Sequence, residues 1–151
     1  STIWNMEKET WDKVISTGLT GVFNCTKFAT KSMRENEFGR IINISSVVGL
    51  TGVFGTSNYS SAKAGVFGLT KTVAKEVATK NITVNAVTLG YFDEGMMVRL
   101  PKKIQNQIIE QIPMKRLGRP KEVSHTVMFL SSEESGYITG QIINLNGGFY
   151  M

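Results

Sequence analysis

Apolar positions along the chain follow two rhythms. From about Lys8 to Met33 they recur at steps of three and four, at Trp11, Val14, Ile15, Leu19, Val22, Phe23, Cys25 and Ala29, the spacing of a helix with one buried face. Gly18 and Gly21 interrupt that stripe and predict a break or bend between a short first helix and a longer second one. Gly39–Ser46 and Ile82–Leu89 are short continuous apolar runs rich in β-branched residues, and Ile142–Leu145 is a third; each reads as a buried strand. Between the first two, Ala62, Val66, Leu69, Val73, Ala74 and Val77 mark a helix from about Asn58 to Thr79, with Ser57 or Asn58 as its cap. A Gly-containing loop, Gly49 to Ser57, leads into it. After Gly90 comes an irregular stretch, Tyr91 to Leu100. A helix at Pro101–Gln111, with Ile104, Ile108 and Ile112 on one side, follows, and then a helix at Lys121–Leu130 opened by Pro120.

Buried strands alternating with helices predict an α/β fold with a parallel sheet covered on both faces. Three parallel strands make a thin sheet for an independent domain. The expectation is one domain over residues 1–151, with strands that complete the sheet lying outside it. That the chain opens on Ser1 rather than Met gives the same expectation of processing or a fragment.

Composition narrows the function classes. The chain has 151 residues, 41% hydrophobic and 19% charged, which is a globular balance. No apolar run reaches the ~20 residues of a membrane span. Cys25 is the only cysteine, so neither an internal disulfide nor a thiolate metal cluster is expected, and the default setting is reducing and cytoplasmic. His125, the only histidine, sits in a helical pattern with Val123, Val127 and Leu130 and reads as a surface or packing residue; no metal site is expected. The net charge of +5 is spread along the chain and accompanied by no nucleic-acid motif. Its local groups, Lys102-Lys103 and Lys115-Arg116 with Arg119, suit a solvated surface or an anionic ligand such as a phosphorylated cofactor or an acyl carrier.

Ligands of parallel α/β sheets sit beyond the carboxyl ends of the strands. Ser46 ends the first strand and Gly90 follows the second, while Tyr59 and Lys63 lie one turn apart at the start of the intervening helix. An ammonium beside a phenol favours the phenolate. A Tyr-x-x-x-Lys by itself arises often by chance. The strand, loop and helix that put Ser46, Tyr59 and Lys63 on one rim make the three a candidate catalytic set.

Asn58-Tyr59-Ser60-Ser61-Ala62-Lys63-Ala64-Gly65, preceded by Gly39-Arg40-Ile41-Ile42-Asn43-Ile44-Ser45-Ser46, resembles the catalytic core of the short-chain dehydrogenases/reductases. The resemblance continues through Ile82-Thr83-Val84-Asn85, Gln111-Ile112-Pro113, Arg116-Leu117-Gly118-Arg119-Pro120 with Glu122, Ile138-Thr139-Gly140 and Asn146-Gly147-Gly148, and so covers nearly the whole chain. Within that family it is most similar to reductases of 3-oxoacyl carrier-protein and acetoacetyl-CoA thioesters. The resemblance implies the carboxyl-terminal part of a Rossmann-like doubly wound sheet. It further implies a nicotinamide cofactor, NADP(H) ahead of NAD(H), and a homo-oligomer, dimer or tetramer. Tyr59 would give the proton to the substrate carbonyl oxygen, Lys63 would hold the nicotinamide ribose, and Ser46 would hydrogen-bond the developing alkoxide. Gly90 and the backbone near Phe92 would meet the nicotinamide, and Ser46, Val53, Thr56 and Tyr91 would line the acyl pocket.

Four departures from the family pattern accompany these matches. No glycine-rich cofactor loop is present, Gly18 stands where an Asn of the proton relay is usual, Leu89 replaces a Pro, and Glu94 replaces a cofactor-contacting Thr. Glu94 is expected to turn to solvent. Two readings follow: reduction of a 3-oxoacyl thioester, completed by a part of the protein outside this chain, or a non-catalytic remnant or assembly subunit of such a reductase.

Overall fold

A computed structural model describes residues 1–151. In chain order the elements are α1 (Lys8–Ile15), α2 (Gly21–Glu35), β1 (Gly39–Ser46), α3 (Val48–Thr51), α4 (Ser57–Val77), β2 (Ile82–Leu89), α5 (Lys102–Gln111), α6 (Pro120–Ser131) and β3 (Ile142–Leu145). The strands form one parallel sheet in the order β1-β2-β3, as their apolar runs predict. Parallel neighbours need a crossover, and α4 supplies the first while α5 and α6 lie in the second. This is an α/β fold, a three-stranded part of a Rossmann-like sheet with flanking helices. No helix is long and apolar enough to cross a membrane.

Strand residues alternate between two faces. On β1, Asn43 and Ser45 turn to α4: Asn43 Nδ2 donates to Thr70 Oγ1 at 2.9 Å, and Ser45 Oγ donates to the Lys63 carbonyl at 2.8 Å. Beside them Ala74, Val77, Ile82 and Val84 form the buried core, with Met33, Ile41 and Val73 packed against it. The opposite face meets α6 and the segment after it. There Arg40 Nε donates to the Ser132 carbonyl and Asn85 Nδ2 to the Ile138 carbonyl.

Several local expectations need correction. The short first helix and longer second one expected around Gly18 and Gly21 are present as α1 and α2, but their junction is a continuous helical turn rather than a break. Residues Ser16–Thr20 form one wide π-helical turn, with the Gly21 amide bonded to the Ser16 carbonyl, and the backbone at Ile15 and Gly21 stays right-handed helical. The loop expected at Gly49–Ser57 begins inside a helical turn, α3, before turning at Gly52 with φ 66°. Thr56, not Ser57 or Asn58, is the cap residue of α4. Its hydroxyl donates to the Val53 carbonyl at 2.7 Å and pairs with Ser60 Oγ at 3.0 Å, so it braces the loop rather than a helix amide. The helix itself stops at Val77, and a 3₁₀ turn, Ala78–Lys80, runs to Asn81, whose left-handed φ of 53° ends the winding. On α5 the buried residue is Gln105, which donates to the Leu100 carbonyl, while Ile104 is 39% exposed.

Two glycines let α4 approach its neighbours. A Cβ on Gly49 would lie 2.9 Å from Ala64 N and from the Lys63 carbonyl carbon, and one on Gly65 would lie 2.7 Å from Leu19 Cδ2. The first meets backbone, which has nowhere to go. Gly49→Ala is therefore expected to destabilise the chain by about 1–3 kcal/mol, the usual cost of overpacking, seen as a lower urea midpoint with an unchanged slope. An unchanged midpoint would show that α3 can retreat from α4 freely.

Candidate functional site

The carboxyl ends of β1 and β2 stand abreast, with Ser46 in register with Leu89 and the Val47 amide bonded to the Leu89 carbonyl at 2.9 Å. Beyond them the α3–α4 connection rises and returns as α4. Ser46 Oγ accepts a hydrogen bond from the Val48 amide at 3.3 Å, so its own hydrogen is left free to donate. Tyr59 lies in the first turn of α4, its amide bonded to Asn58 Oδ1 at 2.8 Å, while Asn58 Nδ2 reaches the Thr10 carbonyl. The Tyr59 ring is 40% exposed, and its hydroxyl has no hydrogen-bond partner in the chain.

One turn further on, Lys63 Nζ lies 5.7 Å from the Tyr59 ring centroid and donates to the Ile44 carbonyl at 3.2 Å. Half-burial holds its pKa below the ordinary lysine value, because the charged form loses hydration. Two ammonium hydrogens remain for a ligand. Sequence spacing thus brings Tyr59 and Lys63 together as expected, and strand register sets Ser46 on the same rim.

The next rim is built around Gly90. Its amide donates to the Leu145 carbonyl at 3.0 Å, and a Cβ there would lie 2.8 Å from Asn146 Cα and Cβ. Only glycine fits. Asn146 in turn ties the segment after β3, donating to the Tyr150 carbonyl and accepting from the Gly148 amide, both at 3.0 Å. Phe92 forms a single parallel bridge with Gly118, in which the Asp93 amide and the Tyr91 carbonyl make the bonds. The amide and carbonyl of Phe92 itself are left without partners in the chain. A free peptide donor and acceptor beyond a strand end suit a carboxamide.

The residues expected to line one acyl pocket are divided. Val53 lines a cavity of about 340 Å³ with Trp4, Phe54 and Ser60. Tyr91, packed edge-on against Phe149 at 5.3 Å, lines a different one of about 110 Å³ with Phe92, Met114, Arg116 and Asn146. The second is below the ~300 Å³ at which ligand pockets begin. The Thr56 hydroxyl is spent within its own loop. Glu94 is exposed. Gly18 lies in the π-helical turn against α4, and a Cβ there would be 3.1 Å from Ala62 Cβ, so an Asn side chain would require Ala62 to yield by a few tenths of an ångström. His125 is exposed on α6.

Below the Tyr91 cavity an ion pair braces the α6 entry. Arg116 Nη2 lies 2.6 Å from Glu122 Oε1, Nη1 donates to Oε2 at 2.9 Å, and the Arg119 amide donates to Oε2 at 2.7 Å. The sequence marked Arg116 as part of a basic group and both residues as part of a family pattern, but not their pairing. Their bidentate geometry explains the pairing. Sequence patterns gave no role to Ser45 or Asn146, whose hydrogen bonds join segments distant along the chain or the turn after β3.

Three parallel strands with helices on both faces, and a Ser, a Tyr and a Lys set at one rim, define a Rossmann-like α/β protein. Comparison with known proteins agrees. The chain belongs to the short-chain dehydrogenase/reductase family: the family profile described as enoyl-(acyl carrier protein) reductase matches residues 1–150. Acetoacetyl-CoA reductase of Rhizobium meliloti is 52% identical over 146 residues, which is 96% of this chain and 61% of that protein. Nodulation protein G of Azospirillum brasilense is 50% identical over 95% of this chain and 58% of its own length. The 3-oxoacyl-[acyl-carrier-protein] reductase FabG of Staphylococcus epidermidis is 47% identical over 99% of this chain and 61% of its own length. The chain thus spans about three fifths of the length of these relatives.

The brace carries a pH signature. Hydrogen bonds from Arg116 and then from the Arg119 amide lower the Glu122 pKa from 4.5 to about 2. A depressed carboxylate stabilises the fold above its unfolded pKa and loses that contribution as pH falls through its folded pKa. Wild type is expected to lose stability relative to Glu122→Gln as pH falls from about 4.5 to about 2, with the difference between them constant above that window. Melting temperatures of both across the range check this, and parallel curves would contradict it.

Proposed function

We propose that the protein carrying this chain reduces a 3-oxoacyl thioester, acetoacetyl-CoA or a 3-oxoacyl carrier protein, to the 3-hydroxyacyl form. NADP(H) is favoured over NAD(H) as its cofactor. The observation that carries this reading is the Tyr59–Lys63 pair: an unpartnered phenol with an ammonium 5.7 Å from its ring, at a strand end shared with a free hydroxyl. The names of the relatives support the substrate class, and the unpartnered peptide groups of Phe92 support a nicotinamide.

In this reading a reduced nicotinamide, when bound, would supply the hydride for the 3-oxo carbon. Tyr59 Oη gives its proton to the carbonyl oxygen, closing the balance for the alcohol. Ser46 Oγ, already fixed by the Val48 amide, donates its free hydrogen to the same oxygen as negative charge develops there. Lys63 would hold the ribose hydroxyls with its remaining hydrogens, and it presents a positive charge to the phenol as the proton leaves. Gly90 and the free peptide groups of Phe92 would hold the carboxamide of the nicotinamide, and Val53, Thr56 and Tyr91 would border the acyl chain from their separate loops.

Absorbance of NADPH, then NADH, with acetoacetyl-CoA tests the reading. Tyr59→Phe is expected to cut kcat/KM by about 10²–10⁴-fold; turnover that survives this change intact would sink the catalytic assignment. Failure to bind either nucleotide would favour the second reading, an assembly subunit without catalysis.

That second reading, and the homo-oligomer common to both, draw on the outer face of α2 and α4. Phe23, 45% exposed, and Leu69 border a groove of about 330 Å³ there with Lys27, Arg34 and Glu76. A second copy of the same face would cover these side chains and match Lys27 or Arg34 with Glu76. Phe23→Glu is expected to shift the protein toward monomer in sedimentation equilibrium, and an unmoved mass would place the contact elsewhere.

A further inference from the structure

We propose that Ser45 is a positioning residue for Lys63: its hydroxyl and the adjacent Ile44 carbonyl hold that lysine at both ends, main chain and ammonium, to consecutive residues of one strand. The inference rests on the role given to Lys63 above.

Ser45 is 3% exposed, and its one hydrogen bond is the 2.8 Å donation to the Lys63 carbonyl. A helical carbonyl has a second lone pair beyond the one used by the amide four residues on, and a buried hydroxyl must find an acceptor. The sheet therefore grips the helix by its backbone at Lys63. The ammonium of the same residue returns to the preceding carbonyl, Ile44, at 3.2 Å. Gly49 closes the third side, since a Cβ there would meet Lys63 C and Ala64 N at 2.9 Å.

The other polar tie between β1 and α4, Asn43 to Thr70, joins two side chains about two turns further along. Side chains can follow a small slide of the helix, whereas a bond to a main-chain carbonyl fixes its height directly. One residue of slide is ~1.5 Å along the axis, and a misplacement of ~1 Å at a reacting group can cost ~10²-fold in rate. Ser45 thus sets how far Lys63 and Tyr59, carried together on the helix, stand from Ser46 on the strand.

The test uses the 151-residue chain with ¹³C-labelled lysine, the Lys63 signal being assigned by its loss in Lys63→Arg. Ser45→Ala is expected to shift the Lys63 Cε titration upward toward the ordinary lysines as the ammonium leaves Ile44 for water. Thr70→Val, which breaks the neighbouring tie, is expected to lower the urea midpoint without moving that titration. In active protein Ser45→Ala should also lower kcat by ~10–100-fold with a smaller change in thioester KM. Should Ser45→Ala fail to fold, Ser45→Cys keeps the volume with a weaker donor and takes its place. A Lys63 titration unmoved in a folded Ser45 variant would overturn the proposal and reduce Ser45 to a core contact. An upward shift in Ser45→Ala, together with turnover that survives Tyr59→Phe intact in active protein, would sustain it while sinking the catalytic reading.

Discussion

Helix α4 reaches the sheet only because the side chains between them are small or bonded to one another. Ala62, Val66 and Ala74 on the helix face Ile41, Val84 and Ala86 on the strands, and the polar residues among them, Asn43, Ser45 and Thr70, are all paired. Gly49 and Gly65 remove the last obstacles on either side. A buried polar group costs about 1–3 kcal/mol when left unpaired, so this interface tolerates few rearrangements. The rim chemistry inherits that rigidity, because Tyr59 and Lys63 are the first exposed turns of the same helix and Ser46 ends the same strand.

Much of this was legible in the sequence, for identifiable reasons. The strands Gly39–Ser46, Ile82–Leu89 and Ile142–Leu145 are short, apolar and β-branched in surroundings that are not, so their bounds could be read to the residue. Tyr59 and Lys63 were legible because helical spacing alone places them together. What was not legible depended on contacts between distant segments. Glycines at 18 and 21 look like helix breakers, yet Gly18 packs on Ala62 and the helix continues. Gln105 displaces Ile104 from the buried side of α5 because its amide finds the Leu100 carbonyl. The acyl-pocket residues divided because Val53 and Tyr91 belong to loops at different strand ends, a separation that sequence distance does not reveal.

Family membership and geometry speak to different parts of the problem. High identity over nearly the whole chain accounts for the fold. It leaves the positions where this chain differs, Gly18, Leu89 and Glu94, to be judged by their surroundings. Leu89 ends β2 in register with both Ser46 and Leu145, so a Pro is not needed to stop the strand; the close approach of Gly90 to Asn146 does that. Glu94 is exposed to solvent.

The wide turn at Ser16–Thr20 has a consequence for the phase of everything after it. An α-helix turns about 100° per residue, and a π-helical turn accommodates one residue more than the α-helical winding around it. Removing a single residue there would let α1 and α2 merge into one regular helix, and the side of α2 that buries Thr26 would swing by about 100° relative to the Trp11–Val14 side. One of the two faces would then lose its partner on α4. The turn acts as a rotational spacer, and its length, more than the identity of its residues, decides whether both halves of the helix can be seated at once.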